Sequence, residues 1–247
     1  MNLNNHPTIT GNAMMQISKD NKTALLFGAS GLVGSHALEF LLLHPAYSKV
    51  VVFVRKPIEQ EHPKLLQHVI DFDQPESWGQ LVKGDDLFCC LGTTMAKAGS
   101  RAAFLKVDYS YPIQAAHFAI ENKVHQFLLV SSVGADTKSP FFYSKVKGQL
   151  EESLQRLDFW SIHIFRPSIL LGERNENRWG EEIAGRIGKV IDRFTGGILT
   201  KYKPIEADVV AKAMVAAAQG LEAGTHVYPS HWLQQEARKL DKALAQR

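Results

Sequence analysis

From Thr23 the chain alternates two rhythms. Short apolar and β-branched runs, "TALLFGA" from Thr23, "KVVVFVR" from Lys49, "QHVIDF" from Gln67, "DLFCCLG" from Asp86, "QFLLVSS" from Gln126 and "SIHIFRP" from Ser161, read as strands. Between them "GLVGSHALEFLLLH", "FLKVDYSYPIQAAHFAIEN" and "YSKVKGQLEESLQRL" repeat apolar residues at three- and four-residue steps, which predicts helices. Strand and helix in alternation predict an α/β protein with a doubly wound parallel sheet. After Pro167 the regularity weakens: "GERNENRWGEEIAGRIGKVIDRFTGG" predicts a charged loop and an amphipathic helix, "IEADVVAKAMVAAAQ" a further helix, and "HWLQQEARKLDKALAQ" a terminal one. The expected organisation is a flexible polar leader over 1–22 and a single domain over 23–247. Within that domain, 167–204 is expected to form a lid, a small C-terminal elaboration on the substrate side.

Composition narrows this picture. With 247 residues, 45% of them hydrophobic, the chain can bury one sizeable core. Its formal charge of +3 is spread over both halves, which points to neither nucleic acid nor an anionic membrane as partner and favours small molecules. No apolar run is long enough to span a bilayer, and the first residues lack the apolar core of a signal peptide. Cys89 and Cys90 are neighbours in one predicted strand and face opposite ways, so neither a disulfide nor a metal site follows, and a reducing, cytoplasmic location is expected. The ten histidines show no ligand spacing, and no metal is expected.

The turn "FGASGLVG" places Gly28, Gly31 and Gly34 between the first strand and its helix. There a pyrophosphate can approach the backbone, and the amides and dipole of the helix start favour an anion. A dinucleotide is therefore the expected cofactor. The second strand ends in Arg55 and Lys56, where folds that select NAD commonly carry an acid, and two cations suit the 2′-phosphate of NADP(H). Asp71 and Asp73, at the third strand's end, suit either an adenine contact or turn capping. Leu91 and Gly92 end the fourth strand, and Ser131 and Ser132 the fifth, at the carboxyl edge where ligands of such sheets bind. The next helix carries Tyr143 and Lys147, four residues apart and so on one face.

A glycine-rich first turn, serine ending the fifth strand and YxxxK on the following helix resemble the short-chain dehydrogenase/reductases. More narrowly, "FGASGLVG", "FCCLGTT" with "KAG", "VDYSY", "SSVGAD", "YSKVKGQLE" and "FRPSILLGERNENR" are similar to the atypical, Tat-interacting oxidoreductase-like family, from about Thr23 to Arg178. The resemblance implies a Rossmann-type, NAD(P)-binding fold. It implies NADPH held by Ser30, Gly31, Leu32 and Val33 of the glycine turn, by Arg55 and Lys56, by Leu91 and Gly92, by Tyr143 and Lys147, and by Leu170 and Arg178. It also implies hydride transfer to or from a small carbonyl or alcohol, with Tyr143 as acid/base, Lys147 lowering the phenol's pKa from near 10, and a serine binding the substrate oxygen. Adjacent strand residues face opposite ways, so only one of the two serines enters the site. Ser132, nearer the strand's end, is the choice, with Ser131 the alternative. Asp108 stands where many relatives use asparagine in a proton relay, but an ionised carboxylate cannot donate. The alternative to an enzyme is an NADPH-sensing regulatory or interaction protein with little turnover. A nucleotide-sugar epimerase or dehydratase is a third reading, disfavoured by the short segment after Pro167. The oligomeric state is left open.

Overall fold

A computed structural model of the protein describes residues 19–172 and 203–235. Seven strands, β1 (Lys22–Phe27), β2 (Tyr47–Val54), β3 (Leu65–Val69), β4 (Asp86–Cys89), β5 (Gln126–Val130), β6 (Ser161–Arg166) and β9 (Gly224–Pro229), form one sheet in the order β3-β2-β1-β4-β5-β6-β9. Every neighbouring pair is parallel. The chain runs outward from β1 to β3, then crosses back to β4 on the other side of β1. That reversal opens a crevice beyond the carboxyl ends of β1 and β4, the place where such sheets take their ligands. Two short strands, β7 (Leu170–Leu171) and β8 (Ile205–Glu206), pair separately.

Strand alternation sorts the core into two layers. Leu26, Val50, Val52, Phe88 and Leu128 face α1 (Leu32–Leu43) and α6 (Ala207–Gly220), whereas Leu25, Phe27, Val51, Phe53, Leu87 and Leu129 face α4 (Tyr111–Glu121) and α5 (Phe142–Gln155). Cys89 joins the second layer and Cys90 packs against the first, so the two thiols point apart, and both are free. Burial pushes the Cys89 thiol up to about 11, which leaves it unreactive near neutrality.

Two local outcomes differ from the sequence pattern. The single helix expected from Phe104 to Asn122 is instead α3 (Arg101–Leu105), a π-helical turn over Lys106–Ser110, and α4. Pro112 has no amide to give the carbonyl of Asp108, and the chain widens in the turn just before it. The seventh strand, β9, follows no strong apolar run; its residues alternate between exposed and half-buried, as on a sheet edge. A further short helix, α2 (Met95–Ala98), follows β4, capped by the Thr94 hydroxyl.

A buried polar row crosses the sheet at its amino edge. Lys22 pairs with Asp86, whose carboxylate also accepts from the Tyr47 hydroxyl at 2.6 Å and from Gln126 Nε2 at 2.8 Å. Gln126 Oε1 lies 3.2 Å from His163 Nε2, and His163 Nδ1 lies 2.9 Å from the Tyr228 hydroxyl. The Ala218 carbonyl, in the last turn of α6, accepts from Lys22 Nζ at 3.3 Å and Gln126 Nε2 at 3.1 Å. A cation thus meets the negative end of that helix. Burial, then the charges of His226 and Lys22, lower His163 to about 4, so it is neutral across the physiological range.

Candidate functional site

The glycine turn is shaped by what cannot fit in it. Gly28 leaves β1 with φ of +87°, and a Cβ there would stand 2.6 Å from the Cys90 carbonyl oxygen. On Gly34 a Cβ would fall 2.0 Å from the Gly28 carbonyl oxygen, because α1 rises close against the strand end. Between them the Gly31 amide donates to the Gly28 carbonyl at 2.9 Å, which closes the turn. Gly31 is also the extended N-cap of α1, with no side chain capping the helix and no acid in its first turn. The first amides and the positive end of the dipole therefore remain for an anionic ligand. Ser30 is exposed at the turn, Gly31 and Leu32 are half-buried, and Val33 and Gly34 are buried, so the last two contribute packing and backbone. These residues fit a dinucleotide pyrophosphate.

Arg55 and Lys56 directly follow β2 and are exposed, beside the end of the β1–β2 pairing at Phe27 and Phe53. Asp71 and Asp73 are committed locally: Asp71 accepts from the Asp73 amide at 2.9 Å and from Gln74 Nε2 at 3.2 Å, and Asp73 accepts from Lys106 and from the Tyr111 hydroxyl, each at 2.9 Å. Of the two open readings, these bonds favour turn capping. Leu91 is half-buried, and Gly92 passes over the base of the site, where its missing Cβ would lie 3.4 Å from Asp108 Oδ1 and 3.7 Å from Lys147 Nζ. Leu170 packs on the same cluster as Leu32. Arg178 lies outside the described residues, as does most of the expected 167–204 lid.

On α5, Tyr143 is 38% exposed, with its ring 5.7 Å from that of Phe104 on α3. One turn deeper, Lys147 is buried with its Nζ 2.8 Å from Asp108 Oδ1. The other Asp108 oxygen accepts the Thr93 amide at 2.8 Å, so the π-helical turn, the β4 loop and α5 meet at one carboxylate. Burial works against the Lys147 charge, but the fields of Asp108 and Tyr143 and the bond to Asp108 outweigh it and hold the ammonium above its ordinary value. The two serines, just beyond the end of β5, differ in burial and partners. Ser131 is buried with its hydroxyl on Glu151, while Ser132 is half-buried with its hydroxyl 3.2 Å from the Val133 carbonyl. Ser131 is thus engaged away from solvent, and Ser132 keeps the more accessible hydroxyl.

A parallel sheet of this order, a glycine turn at its switch point and a Tyr/Lys helix at its carboxyl edge define a Rossmann-type NAD(P)-binding protein with an oxidoreductase-like fold. The family described as NAD(P)H-binding matches residues 28–160. The chain is 36% identical to Protein HTATIP2 of Rattus norvegicus over 182 residues, covering 72% of this chain and 75% of that protein. It is 34% identical to mitochondrial Protein FMP52 of Candida albicans over 204 residues, covering 80% of this chain and 88% of that one. The Bordetella bronchiseptica enzyme WbmH, solved in complex with NAD+, shares the fold with a TM-score of 0.66 at 16% identity, over 91% of this chain and 82% of its own. The chain belongs to the NAD(P)H-binding family, within the HTATIP2-like atypical short-chain dehydrogenase/reductases.

These relatives correct one expectation. FMP52 proteins of several fungi are designated mitochondrial, which overturns the cytoplasmic location expected from the cysteines. Free thiols signal a reducing compartment, and that property does not single out the cytosol. Among the described residues no helix is long and apolar enough to cross a membrane, and no group of three or more His, Cys, Asp or Glu is placed to hold a metal.

Proposed function

We propose that this chain is an NADPH-dependent oxidoreductase acting on a small carbonyl or alcohol, with Tyr143 exchanging a proton with the substrate oxygen. The observation that carries the reading is the placement of Tyr143, partly exposed, one helical turn above buried Lys147 beside the glycine turn's edge of the sheet. Gly28, Ser30, Gly31, Leu32, Val33 and Gly34 would hold the pyrophosphate, Arg55 and Lys56 the 2′-phosphate, and Leu91, Gly92, Leu170 and Arg178 further parts of the cofactor. When bound, the nicotinamide supplies or accepts the hydride. Lys147 holds a ribose hydroxyl and places a positive field beside the Tyr143 phenol. Ser132 donates a hydrogen bond to the substrate oxygen while Tyr143 gives it a proton or takes one. The exposure of Tyr143 lets that proton be renewed from solvent.

NADPH is expected to bind at least tenfold more tightly than NADH, about 1.4 kcal/mol, through charge-assisted bonds to the 2′-phosphate. Equal affinities by calorimetry would refute the cofactor assignment. Arg55→Asp should erode or reverse the preference, since it repels the phosphate and offers acceptors to ribose hydroxyls. The activity itself is tested by following NADPH oxidation, burst and steady state, across a panel of small carbonyl compounds.

One observation favours a second reading, an NADPH-sensing protein with little turnover. Lys147 is already neutralised by Asp108 at 2.8 Å, which weakens its field on Tyr143. Tight NADPH binding with no oxidation of it by any carbonyl in the panel would select this reading.

A further inference from the structure

Tyr143, Lys147 and Glu151 follow one another at four-residue steps on α5 and share one face of the helix. The first two belong to the proposed chemistry. The third is as buried as Lys147, only 2% exposed, and reaches the ends of two strands. Its Oε1 accepts the Ser131 hydroxyl, and its carboxylate takes Arg166 Nε at 3.0 and 3.2 Å with Arg166 Nη2 as a second tooth of the fork. Ser131 begins the loop after β5, and Arg166 is the last residue of β6. The same two strand ends are tied by backbone bonds, from the Ser131 amide to the Phe165 carbonyl at 2.7 Å and from the Val133 amide to the Pro167 carbonyl at 2.8 Å.

We infer that Glu151 is a positioning residue, which through Ser131 and Arg166 locks the strand end bearing Ser132 at a fixed distance from the helix bearing Tyr143. Two groups that act on one substrate oxygen must keep their separation within a fraction of an ångström, because a misplacement of about 1 Å can cost a hundredfold in rate. Ser132 sits on a loop start and Tyr143 in the first turn of a helix, and neither place is rigid by itself. A planar carboxylate gripped by a planar guanidinium fixes angle as well as distance, which apolar packing at the same place would not do. With the Ser131 hydroxyl drawn to Glu151, Ser132 is the serine the proposed chemistry uses. The dyad of helix and strand end is thus held through one buried carboxylate.

This inference rests on the proposed pairing of Ser132 with Tyr143, and its test separates the two. Glu151→Gln keeps the volume and an acceptor for Ser131 but loses the charged fork. It is expected to lower kcat about tenfold or more per folded molecule while the NADPH Kd stays within about threefold. Ser131→Ala, which removes only the hydroxyl, should lower kcat in the same direction, and the double variant should fall short of the product of the two losses because both act through one link. A purely structural Glu151 would lower the melting temperature and leave kcat per folded molecule unchanged, and that result overturns the inference. A Tyr143→Phe control that keeps full turnover overturns the proposed chemistry instead. Where no carbonyl is turned over, the amide resonances of Ser132 and Tyr143 in the NADPH complex provide the readout: displacement or broadening in Glu151→Gln supports the positioning role, and unchanged resonances overturn it.

Discussion

Tyr143→Phe is expected to lower turnover on the order of a hundredfold or more while NADPH affinity stays nearly intact. The substitution removes one hydroxyl from a ring that keeps its packing against Phe104, so neither fold nor cofactor site loses a contact of weight. What disappears is the hydroxyl proposed to exchange a proton with the substrate oxygen, carried on a partly exposed residue. Turnover, cofactor affinity and melting temperature measured on one preparation check this. Unchanged turnover in well-folded protein would remove Tyr143 from the chemistry.

Lys147→Met is expected to act differently, although the two residues are one turn apart. Methionine keeps much of the stem's packing but strands Asp108, a fully buried carboxylate, with the Thr93 amide as its remaining bond. Removing one partner of a buried ion pair costs about 3–5 kcal/mol, a fall in melting temperature of roughly 10 °C for a domain of this size. Lys147→Met/Asp108→Asn should recover much of that stability, since no unpaired charge is left, yet still bind NADPH weakly because the ribose donor is gone. The pH dependence has a definite sign. The folded-state pKa of Lys147 is raised, so the stability the pair provides is fully present below the unfolded value of about 10.4 and is lost as pH rises through the higher folded value. The gap between wild type and Lys147→Met should therefore hold through neutral and mildly alkaline pH and close only in strong alkali. Melting curves across pH and calorimetry check both halves; NADPH bound at full strength by the double variant would show that Lys147 does not hold the cofactor.

Much of this architecture is written in local pattern. The five inner strands are legible because strands covered on both faces are apolar at nearly every position, as in "ALLF" and "VVVFV"; β3, an edge strand with exposed and half-buried residues, is read from Gln67 although it begins at Leu65. β9 escapes notice because an edge strand buries half as much, and "GTHVYP" mixes polar residues with a terminal proline. Tyr143 and Lys147 are legible as a spaced pair, and Gly28, Gly31 and Gly34 as a turn, since helix period and turn sterics are local rules. Other features depend on what stands across a gap. Glu151 continues the Tyr143–Lys147 spacing, but its role emerges only when Ser131 and Arg166, twenty residues before it and fifteen after, are brought to its carboxylate. Likewise, the partner of the Ser131 hydroxyl, Glu151, is twenty residues away and has no local sign. The change of helical register at Asp108 has only Pro112 as a local sign.

The row of buried polar groups from Lys22 to Tyr228 bears on how the chain can be made. It draws one residue or more from each of β1, β2, β4, β5, β6 and β9, so its last members are synthesised some two hundred residues after its first. A nascent chain that has left the ribosome only as far as Leu221 can stack six strands but leaves β6 at the border. There Ser161 lacks the carbonyls of Glu222 and Gly224, at 2.6 and 3.2 Å, and His163 lacks the Tyr228 hydroxyl. Unpartnered polar groups on an open strand invite solvent or a foreign strand. The least conspicuous strand in the sequence is thus the latch of β6: until it arrives, Ser161 and His163 lack these partners.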